Sequence, residues 1–348
     1  MLLLALFACV DTKPPVETVE SLACAAGEIR VASTGAAYPT LGTALDGAAE
    51  VDTICIGAGT WLLEDTMRCS GDSLDMRGRT LTVVGAGADK TTLVGAGGVG
   101  PGNYCHDLGI DTFEAAQSWS GVTFWNAAVT LEGSAVAVSD VRVSHYSGDM
   151  RALRLISPAL DIRGLTLADN VFDYGAGFEL RGDGTLADLV LERTRSDGGN
   201  VGEIYGNVAW TGGRVSENTR TIDEQGFDLI ETWGDVRVNS VTFTDNVTNG
   251  PILTAHDALT LTDVEFLANQ TDWRGVLTSH GHVTMTGGAL RGNEGLDGAI
   301  AIFEGGEIEL VGVDVEDNVG CAVTGDGACL REDLGPDTTV SCDAGGCG

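Results

Sequence analysis

Apolar and polar residues alternate in short segments along the middle of the chain, and these segments recur at a nearly constant interval. The alternation is clear in Val236–Asn246, Leu259–Asn269, Val283–Asn293 and Ile308–Asn318. A period of two places successive side chains on opposite faces, so each segment predicts a β-strand with one buried face. An Asp, Gly or Ser lies at the centre of each segment and recurs every 23 to 28 residues, at positions 140, 164, 188, 212, 240, 263, 287 and 312.

An asparagine follows most of these centres by six residues. Thr194 replaces it in one repeat, and the asparagines are Asn170, Asn218, Asn246, Asn269, Asn293 and Asn318. An amide at the same point of every repeat can hydrogen-bond to its equivalent in the next one. We therefore expect a buried asparagine ladder with a structural role.

Two solenoid architectures have a repeat of about this length. Leu261, Val264, Phe266 and Asn269 fit the first part of a leucine-rich repeat, which needs a further leucine just after the asparagine. No shared residue type occurs two positions after the asparagines. The second half of each repeat instead carries another β-like stretch, as in Phe178–Leu180, Leu229–Thr232, Ile252–Thr254, Val276–Thr278 and Ile300–Ile302. Several strands per repeat favour a parallel β-helix over a leucine-rich repeat.

The N-terminal part predicts a cap on this solenoid. Val31–Glu50 begins as a strand and continues as a short helix with Thr40 as its N-cap and an apolar face of Leu41, Ala44, Leu45 and Ala48. Asp52–Trp61 and Leu81–Gly87 are predicted to be the first strands of the solenoid.

This succession resembles the capping helix and opening coil of the pectate-lyase-like superfamily, over about residues 30–320. The resemblance implies an all-β fold, a single-stranded right-handed parallel β-helix of about 24 residues per coil with a short N-terminal capping helix and disulfide-rich end caps. It concerns turn and core residues, which carry no chemistry. The sequence motifs of the superfamily's pectin methylesterases and polygalacturonases are missing.

The cysteines predict an oxidising compartment. Apart from Cys9 there are eight, in one group near each end of the chain: Cys24, Cys55, Cys69, Cys105, Cys321, Cys329, Cys342 and Cys347. Four disulfides, two at each end, are the simplest interpretation, with the connectivity left open. Zinc is the alternative, but no pair has the CxxC spacing.

The apolar run Met1–Cys9 predicts export. Leu6–Cys9 resembles the lipobox of bacterial lipoproteins, which implies cleavage before Cys9 and lipidation of its thiol, although no basic residue precedes the run. An ordinary cleaved signal is the alternative. We expect a signal at 1–9, a tether at 10–29, the β-helix at 30–320 and a Cys-rich C-terminal cap at 321–348. The predicted location is extracytoplasmic, either secreted or anchored in the outer membrane as a lipoprotein.

Composition limits the partners. The chain has 348 residues with 51 acidic and 19 basic side chains, a net charge of −32. Nucleic acids and anionic membrane surfaces require a basic surface, so neither is an expected partner, and membrane contact is expected only through the lipid anchor. The 43% of hydrophobic residues supports a folded chain rather than a disordered acidic one. We expect a monomer.

One outward face carries the strongest candidate site. The alternation places three glutamates outward in register, beside a column with two aromatic rings; the six residues are Glu179, Glu203, Glu231, Arg181, Tyr205 and Trp233. The longest repeat adds Asp223, Glu224 and Asp228 near them. Carboxylates beside aromatic rings suit a sugar, and carboxylate oxygens suit Ca²⁺, the candidate cofactor. The alternative is a solvated acidic face without a ligand.

A second column contains His256, His280 and Glu304, spaced 24 residues apart. Two imidazoles and a carboxylate are a candidate site for a divalent transition metal. The alternative is that these are ordinary turn and strand residues.

Our first functional hypothesis is an exported, surface-anchored, non-catalytic β-helix that binds carbohydrate, with a polysaccharide or cell-surface glycan as partner. The alternative is a polysaccharide lyase or glycoside hydrolase that uses the face of Glu179, Glu203 and Glu231. A third hypothesis is a purely structural spacer or adhesin. A negatively charged protein favours a neutral glycan over an anionic one.

Overall fold

The alternating segments form strands that pair in parallel with the equivalent strand one repeat later, so the chain is a parallel β-helix. Ala135–Ser144, for example, pairs with Leu160–Ala168, with Val138 opposite Ile162. The computed structural model describes residues 24–63, 68–69, 74–95, 105–148, 151–173, 177–220, 228–272, 275–295, 299–302, 306–319, 323–325, 328–330, 339–343 and 346–347.

Within the described residues, three sheets run along the solenoid, with 21, 12 and seven strands. The first sheet has 21 strands: Ile29–Val31, Ala37–Tyr38, Val51–Ile56, Gly59–Leu62, Thr80–Gly85, Thr91–Val94, Ala116–Trp125, Ala135–Ser144, Leu160–Ala168, Gly184–Glu192, Val208–Ser216, Val236–Asn239, Thr242–Thr244, Ala258–Thr262, Glu265–Leu267, His282–Thr286, Ala289–Arg291, Glu307–Val311, Asp314–Glu316, Thr339–Asp343 and Gly346–Cys347. The second sheet has 12 strands: Leu74–Asp75, Leu108–Asp111, Val129–Glu132, Leu153–Ile156, Phe178–Arg181, Gly202–Tyr205, Ile230–Trp233, Leu253–Ala255, Leu277–Ser279, Ile300–Ile302, Val323–Gly325 and Ala328–Leu330. The third sheet has seven short strands: Ser147–Gly148, Val171–Phe172, Arg195–Ser196, Thr219–Arg220, Val247–Thr248, Gln270–Thr271 and Glu294–Gly295. A separate pair joins Arg68–Cys69 to Cys105–His106.

The repeat centres are bends in the first sheet. Every centre has a positive φ, from 50° at Asp140 and Asp263 to 68° at Gly212. Glycine adopts this left-handed conformation without steric cost, and aspartate and asparagine tolerate it better than most residues. The preference for Asp and Gly at the centre of the repeat therefore follows from the geometry of the bend.

A second left-handed residue turns the chain from the first sheet into the third. It directly precedes the ladder position, and Asp169, Glu217, Asp245 and Asp317 have φ values between 56° and 58° there. The asparagine that follows then points inward. Its burial is complete or nearly so at Asn170, Asn218, Asn246, Asn269 and Asn293.

The predicted asparagine ladder is confirmed. The Nδ2 of Asn246 donates to the Oδ1 of Asn269 at 2.8 Å, and the Nδ2 of Asn269 donates to the Oδ1 of Asn293 at 3.0 Å. Each amide oxygen also accepts from the backbone N–H of the preceding ladder residue, as Asn269 does from Asn246 at 3.2 Å. Each Nδ2 reaches a backbone carbonyl as well, which for Asn269 is that of Phe243 at 2.9 Å. The ladder therefore satisfies buried backbone and side-chain groups together.

The core lies between the three sheets and consists of the inward residues of every coil. Aliphatic side chains dominate it, and aromatic residues stack from coil to coil, as do Phe243 and Phe266 with ring centroids 4.8 Å apart. The largest fully buried side chains include Trp119, Trp210 and Phe178.

The predicted capping helix spans Leu41–Gly47, with Thr40 as its N-cap and Leu41, Ala44 and Leu45 buried. Antiparallel strands end the first sheet on both sides, because Ile29–Val31 pairs with Val51–Ile56 and Thr339–Asp343 pairs with Glu307–Val311. An antiparallel terminal strand ends the parallel repeat, which otherwise offers its edge to another chain. No helix in the described ranges is long and apolar enough to cross a membrane.

Cysteines occur at both ends of the solenoid. Cys24 and Cys55 form a disulfide. Cys69 lies opposite Cys105 in an antiparallel pair, and Cys342 lies opposite Cys347. Directly opposed residues of antiparallel strands have Cα atoms roughly 4.5–5.5 Å apart, which is within the range of a disulfide. Cys9 and Cys321 lie outside the described residues.

This register predicts the remaining connectivity. We expect non-reducing peptide mapping of the oxidised protein to find the bridges Cys69–Cys105, Cys342–Cys347 and, for the two cysteines that remain, Cys321–Cys329. Cleavage before Asp326 and Asp343 separates the partners of the last two bridges, so each gives a distinct linked peptide pair. A linked peptide that joins the N-terminal group to the C-terminal group would contradict the prediction.

The ladder predicts that removal of one of its amide side chains lowers the stability of the fold strongly. Asn269→Ala should lower the free energy of unfolding by about 3 kcal/mol, because it leaves several buried polar groups of neighbouring coils without a partner. The measurement is urea unfolding followed by circular dichroism. The control is Asn239→Ala, an exposed asparagine of the first sheet, which should change the value by less than about 0.5 kcal/mol. Equal losses in both variants would contradict the structural role of the ladder.

Candidate functional site

The outward face of the second sheet brings the three predicted glutamates into one row. Glu179 lies opposite Glu203 in adjacent strands, and Glu203 lies opposite Glu231. We call Glu179, Glu203 and Glu231 the acidic row. Arg154 precedes it by one coil and Thr254 follows it by one coil, in the same register.

A row of planar side chains runs beside the acidic row, and we call Arg181, Tyr205, Trp233, His256 and His280 the ring row. The guanidinium carbon of Arg181 lies 4.8 Å from the centre of the Tyr205 ring. The Tyr205 and Trp233 centroids are 6.2 Å apart, those of Trp233 and His256 are 3.7 Å apart, and those of His256 and His280 are 5.2 Å apart. All three ring pairs are nearly parallel, with interplanar angles of 12°, 7° and 5°. The rings stack along the solenoid because the strand spacing is about 4.8 Å, so their edges face outward.

Glu179 is not the accessible outward carboxylate that the alternation predicts. Its side chain has no exposed surface and forms ion pairs with Arg151, Arg154 and Arg181. The Nε of Arg154 lies 3.4 Å from the Oε2 of Glu179, and the other two arginines make closer contacts. These arginines offset the repulsion between Glu179 and the neighbouring glutamates of the acidic row. They also cover the carboxylate of Glu179.

Glu203 is also paired within the chain. Its Oε2 lies 3.4 Å from Nη2 of Arg151, and its Oε1 accepts a hydrogen bond of 3.3 Å from Nδ2 of Asn200. The amide oxygen of Asn200 accepts from the backbone N–H of Asp228 at 2.8 Å. Asn200 therefore links Glu203, in the middle of the acidic row, to Asp228, which lies two residues before the strand Ile230–Trp233.

Glu231 has a different environment. Among the residues that the structure describes, no arginine or lysine comes within ion-pair distance of its carboxylate; the Nε2 of His256 lies 3.7 Å from Oε1. One ligand atom each of Asp228, Glu231 and His256 lies within 4.8 Å of the other two. Burial acts to raise the pKa of Glu231, but the interaction with His256 and a hydrogen bond shared with the carboxyl group of Asp228 outweigh it and hold that pKa below its ordinary value.

Two further polar residues respond to these charges. Burial, together with the charges of Glu203 and Glu231, raises the pKa of Tyr205, so its phenol remains a hydrogen-bond donor at neutral pH. Arg220 is buried at an inward position of the third sheet, and its charge interacts with Asp228. Burial lowers the pKa of Arg220.

The row of outward residues continues beyond Glu231 as threonines. Thr254 and Thr278 pair across adjacent strands and are 1% and 0% exposed. Their hydroxyls have no hydrogen-bond partner within the described ranges, and the same holds for the buried Nε2 of His256. This part of the face therefore contains unsatisfied polar atoms beside the carboxylate of Glu231.

The structure brings some predicted residues together and not others. Asp228 joins Glu231 and His256, whereas His280 stacks on the ring of His256. Asp223, Glu224 and Glu304 lie outside the described residues.

Several residues of the site were missed at the sequence level: Arg151, Arg154, Asn200, Arg220 and Thr254. Extending the register of the acidic row by one repeat in each direction would have identified Arg154 and Thr254. Arg151 and Asn200 lie in turns, where no periodic signal exists.

No family model matches the chain, and no curated protein matches it either. Among solved structures, the chain is similar to the A-module of the mannuronan C-5 epimerase AlgE4 of Azotobacter vinelandii, with 13% identity and a TM-score of 0.32 over 85% of this chain and 91% of that one. It is also similar to the catalytic domain of a GH87 α-1,3-glucanase in complex with nigerose, with 11% identity and a TM-score of 0.32 over 86% of this chain and 60% of that one. A third is PfbA, a surface adhesin of Streptococcus pneumoniae, with 10% identity and a TM-score of 0.24 over 85% and 91% of the two chains. Similarities this distant carry no argument about function, and the β-helix rests on the strand pairing described above.

The buried pairing of Glu179 predicts its contribution to stability. Glu179→Ala should lower the free energy of unfolding by about 3 kcal/mol, because it leaves partly buried arginines without their counter-charge. The matched control is Asp161→Ala, which breaks an exposed ion pair with Arg163 at 2.9 Å and should cost less than about 1 kcal/mol. Denaturant unfolding of both variants measures the difference. An effect of Glu179→Ala as small as that of the control would contradict this interpretation.

Proposed function

We propose that the chain is an exported, surface-anchored β-helix that binds carbohydrate without catalysis, through the outward face of its second sheet. The observation that carries the proposal is the parallel course of two rows on this face. A stack of rings with exposed edges lies directly beside a row of carboxylates. Sugars combine apolar C–H surface with hydroxyl groups, and such a face offers a partner for each.

The geometry of the face favours an elongated ligand. Trp233 keeps 38% of its surface exposed although His256 stacks on one side of it. The ring row extends over four strand spacings, or about 19 Å, along the solenoid. Hydroxyl groups of a sugar chain on this row would accept from the phenol of Tyr205 and donate to the carboxylates of Glu203 and Glu231. A polysaccharide that lies along the solenoid therefore suits the face better than a single sugar.

Charge supports binding of a neutral glycan and a role without turnover. The net charge of −32 repels polyanions at long range. Glu179 is covered by arginines, and Glu203 is engaged with Arg151 and Asn200. Two carboxylates of the acidic row are therefore poorly placed to transfer protons to a substrate.

A second candidate function is glycoside hydrolysis or polysaccharide lysis, and one observation favours it. Carboxylate oxygens of Asp228 and Glu231 lie within 4.8 Å of each other. The two carboxyl groups are therefore near neighbours, as are the catalytic carboxyl groups of retaining glycosidases, which lie about 5–5.5 Å apart. In this alternative the reacting pair is Asp228 and Glu231 rather than the whole acidic row.

Export and anchoring complete the proposal. The apolar run Met1–Cys9 and the lipobox-like Leu6–Cys9 support cleavage before Cys9 and lipidation of that residue. The disulfide between Cys24 and Cys55 supports an oxidising location, because such bonds persist mainly outside the cytoplasm. The segment between Cys9 and the disulfide-bonded Cys24 would then connect the lipid to the β-helix.

The proposal predicts saturable binding of a neutral polysaccharide that depends on the ring row. Trp233→Ala should weaken binding about tenfold or more, because truncation of a central aromatic contact costs about 2 kcal/mol. The matched control is Trp125→Ala on the first sheet, since Trp125 is 41% exposed and stacks on His145 with the same 3.7 Å separation. Titration calorimetry against a panel of neutral and acidic polysaccharides measures the affinities. Equal affinities of the two variants would contradict a binding site on the second sheet.

The same panel separates the two candidate functions. New reducing or unsaturated chain ends that accumulate in proportion to protein, and that Glu231→Gln abolishes while binding persists, would establish the enzyme and overturn the non-catalytic proposal. Binding without new chain ends would support the binding module. Absence of both binding and chain ends would favour the structural spacer.

A further inference from the structure

We infer that Asp228, Glu231 and His256 form a binding site for one divalent transition metal ion. One ligand atom from each lies within 4.8 Å of the other two, which is a separation that a single ion can bridge. The set has only His256 in common with the predicted column of His256, His280 and Glu304, because it is the carboxyl groups of Asp228 and Glu231 that meet His256. The inference does not rest on the proposed carbohydrate function.

The distribution of charge on the face singles out this group. Glu179 and Glu203 have arginine partners, whereas Glu231 has none within ion-pair distance in the described part of the chain and lies beside the imidazole of His256. The charge of Asp228 interacts with the buried Arg220. Two carboxyl groups therefore share this part of the face with one arginine, and a divalent cation would add positive charge between them.

Unsatisfied polar atoms around the group point to a missing ligand. The Nε2 of His256 is buried and has no hydrogen-bond partner within the described ranges, and Oε1 of Glu231 lies 3.7 Å from it. Thr254 lies on the same outward face, one coil from Glu231 and two residues from His256, and is 1% exposed. Its Oγ1 likewise has no partner in that part of the structure. Buried polar atoms usually have partners, and a bound ion with its water ligands would supply them here.

The surroundings hold the three ligands in place. The ring of His256 lies between those of Trp233 and His280, at 3.7 and 5.2 Å, so its plane is fixed. The backbone N–H of Asp228 donates to the Oδ1 of Asn200 at 2.8 Å. Orientation of metal ligands by neighbouring groups of this kind contributes to metal affinity.

The ligand types favour a transition metal over Ca²⁺, the ion suggested by the carboxylates alone. Ca²⁺ takes six to eight oxygen ligands, whereas an imidazole nitrogen is a preferred ligand of Zn²⁺, Ni²⁺ and Co²⁺. One nitrogen and two carboxylate groups leave coordination positions for water. The structure therefore predicts binding of Co²⁺ or Zn²⁺ that Ca²⁺ does not displace.

Titration of the chelator-treated, disulfide-intact protein with Co²⁺ tests the inference, with visible absorption and calorimetry as readouts. We expect one Co²⁺ per chain, release of Co²⁺ by Zn²⁺ and no release by Ca²⁺. His256→Ala and Glu231→Gln should each weaken Co²⁺ binding about tenfold or more. The matched control is His282→Ala, since His282 is exposed and its Nδ1 lies 3.3 Å from Oε2 of Glu307, a histidine–carboxylate pair that has no third ligand among the described residues. This variant should bind Co²⁺ as the unchanged protein does.

Three results would overturn the site: no Co²⁺ binding at micromolar concentrations, equal affinity in the His256→Ala variant, or displacement of Co²⁺ by Ca²⁺. Glu231→Gln and Asp228→Asn both preserve side-chain size, so we expect these variants to fold. Circular dichroism of the metal-free variants checks that they do. Binding of Co²⁺ by a protein that binds no polysaccharide would leave the metal site standing and overturn only the carbohydrate proposal.

Discussion

In-register hydrogen bonding between successive coils is the constraint on which the rest of this structure depends. Because side chains alternate with a period of two, a shift of one residue in any coil would move its core residues outward and its surface residues inward. The asparagine ladder opposes such a shift, since each amide must meet the backbone and the amide of the next coil. The acidic row and the ring row exist only because this register is kept from coil to coil.

The long repeat shows how the solenoid tolerates an insertion. Five residues, 197–201, connect the third to the second sheet in one coil, whereas nine, 221–229, do so in the next. The strands on either side stay in register, because Asn218 still bonds Asn246 and Glu203 still lies opposite Glu231. The four extra residues are therefore confined to one connection. Asp228 lies at the end of this connection and meets Glu231 and His256, so the site combines a periodic strand with an aperiodic turn.

This division explains what could be predicted from the sequence. Alternation identified the outward register of Glu203, Tyr205 and Trp233, and the repeat identified both the bends and the ladder, because strand geometry determines them directly. Burial of Glu179 could not be predicted, since it depends on Arg151 from a turn as well as on two strand arginines. An inward arginine at position 220 was equally unexpected, because the equivalent position two coils earlier is Phe172. Contacts made by turns depend on local backbone paths that have no periodic signal in the sequence.

The paired charges also divide the face along the solenoid. At one end, Arg151, Arg154 and Arg181 surround Glu179, so a highly acidic protein concentrates three of its few arginines around a single carboxylate. In the described part of the chain, Glu203, one coil further, pairs with Arg151, and Glu231, two coils further, pairs with no arginine and lies beside the imidazole of His256. Coulombic attraction is strong in a partly buried setting. A carboxylate without an arginine partner is therefore the one at which a free cation gains the most from binding. The strand pairing therefore determines where the carboxylates lie, and the arginines determine which of them remains available to a ligand.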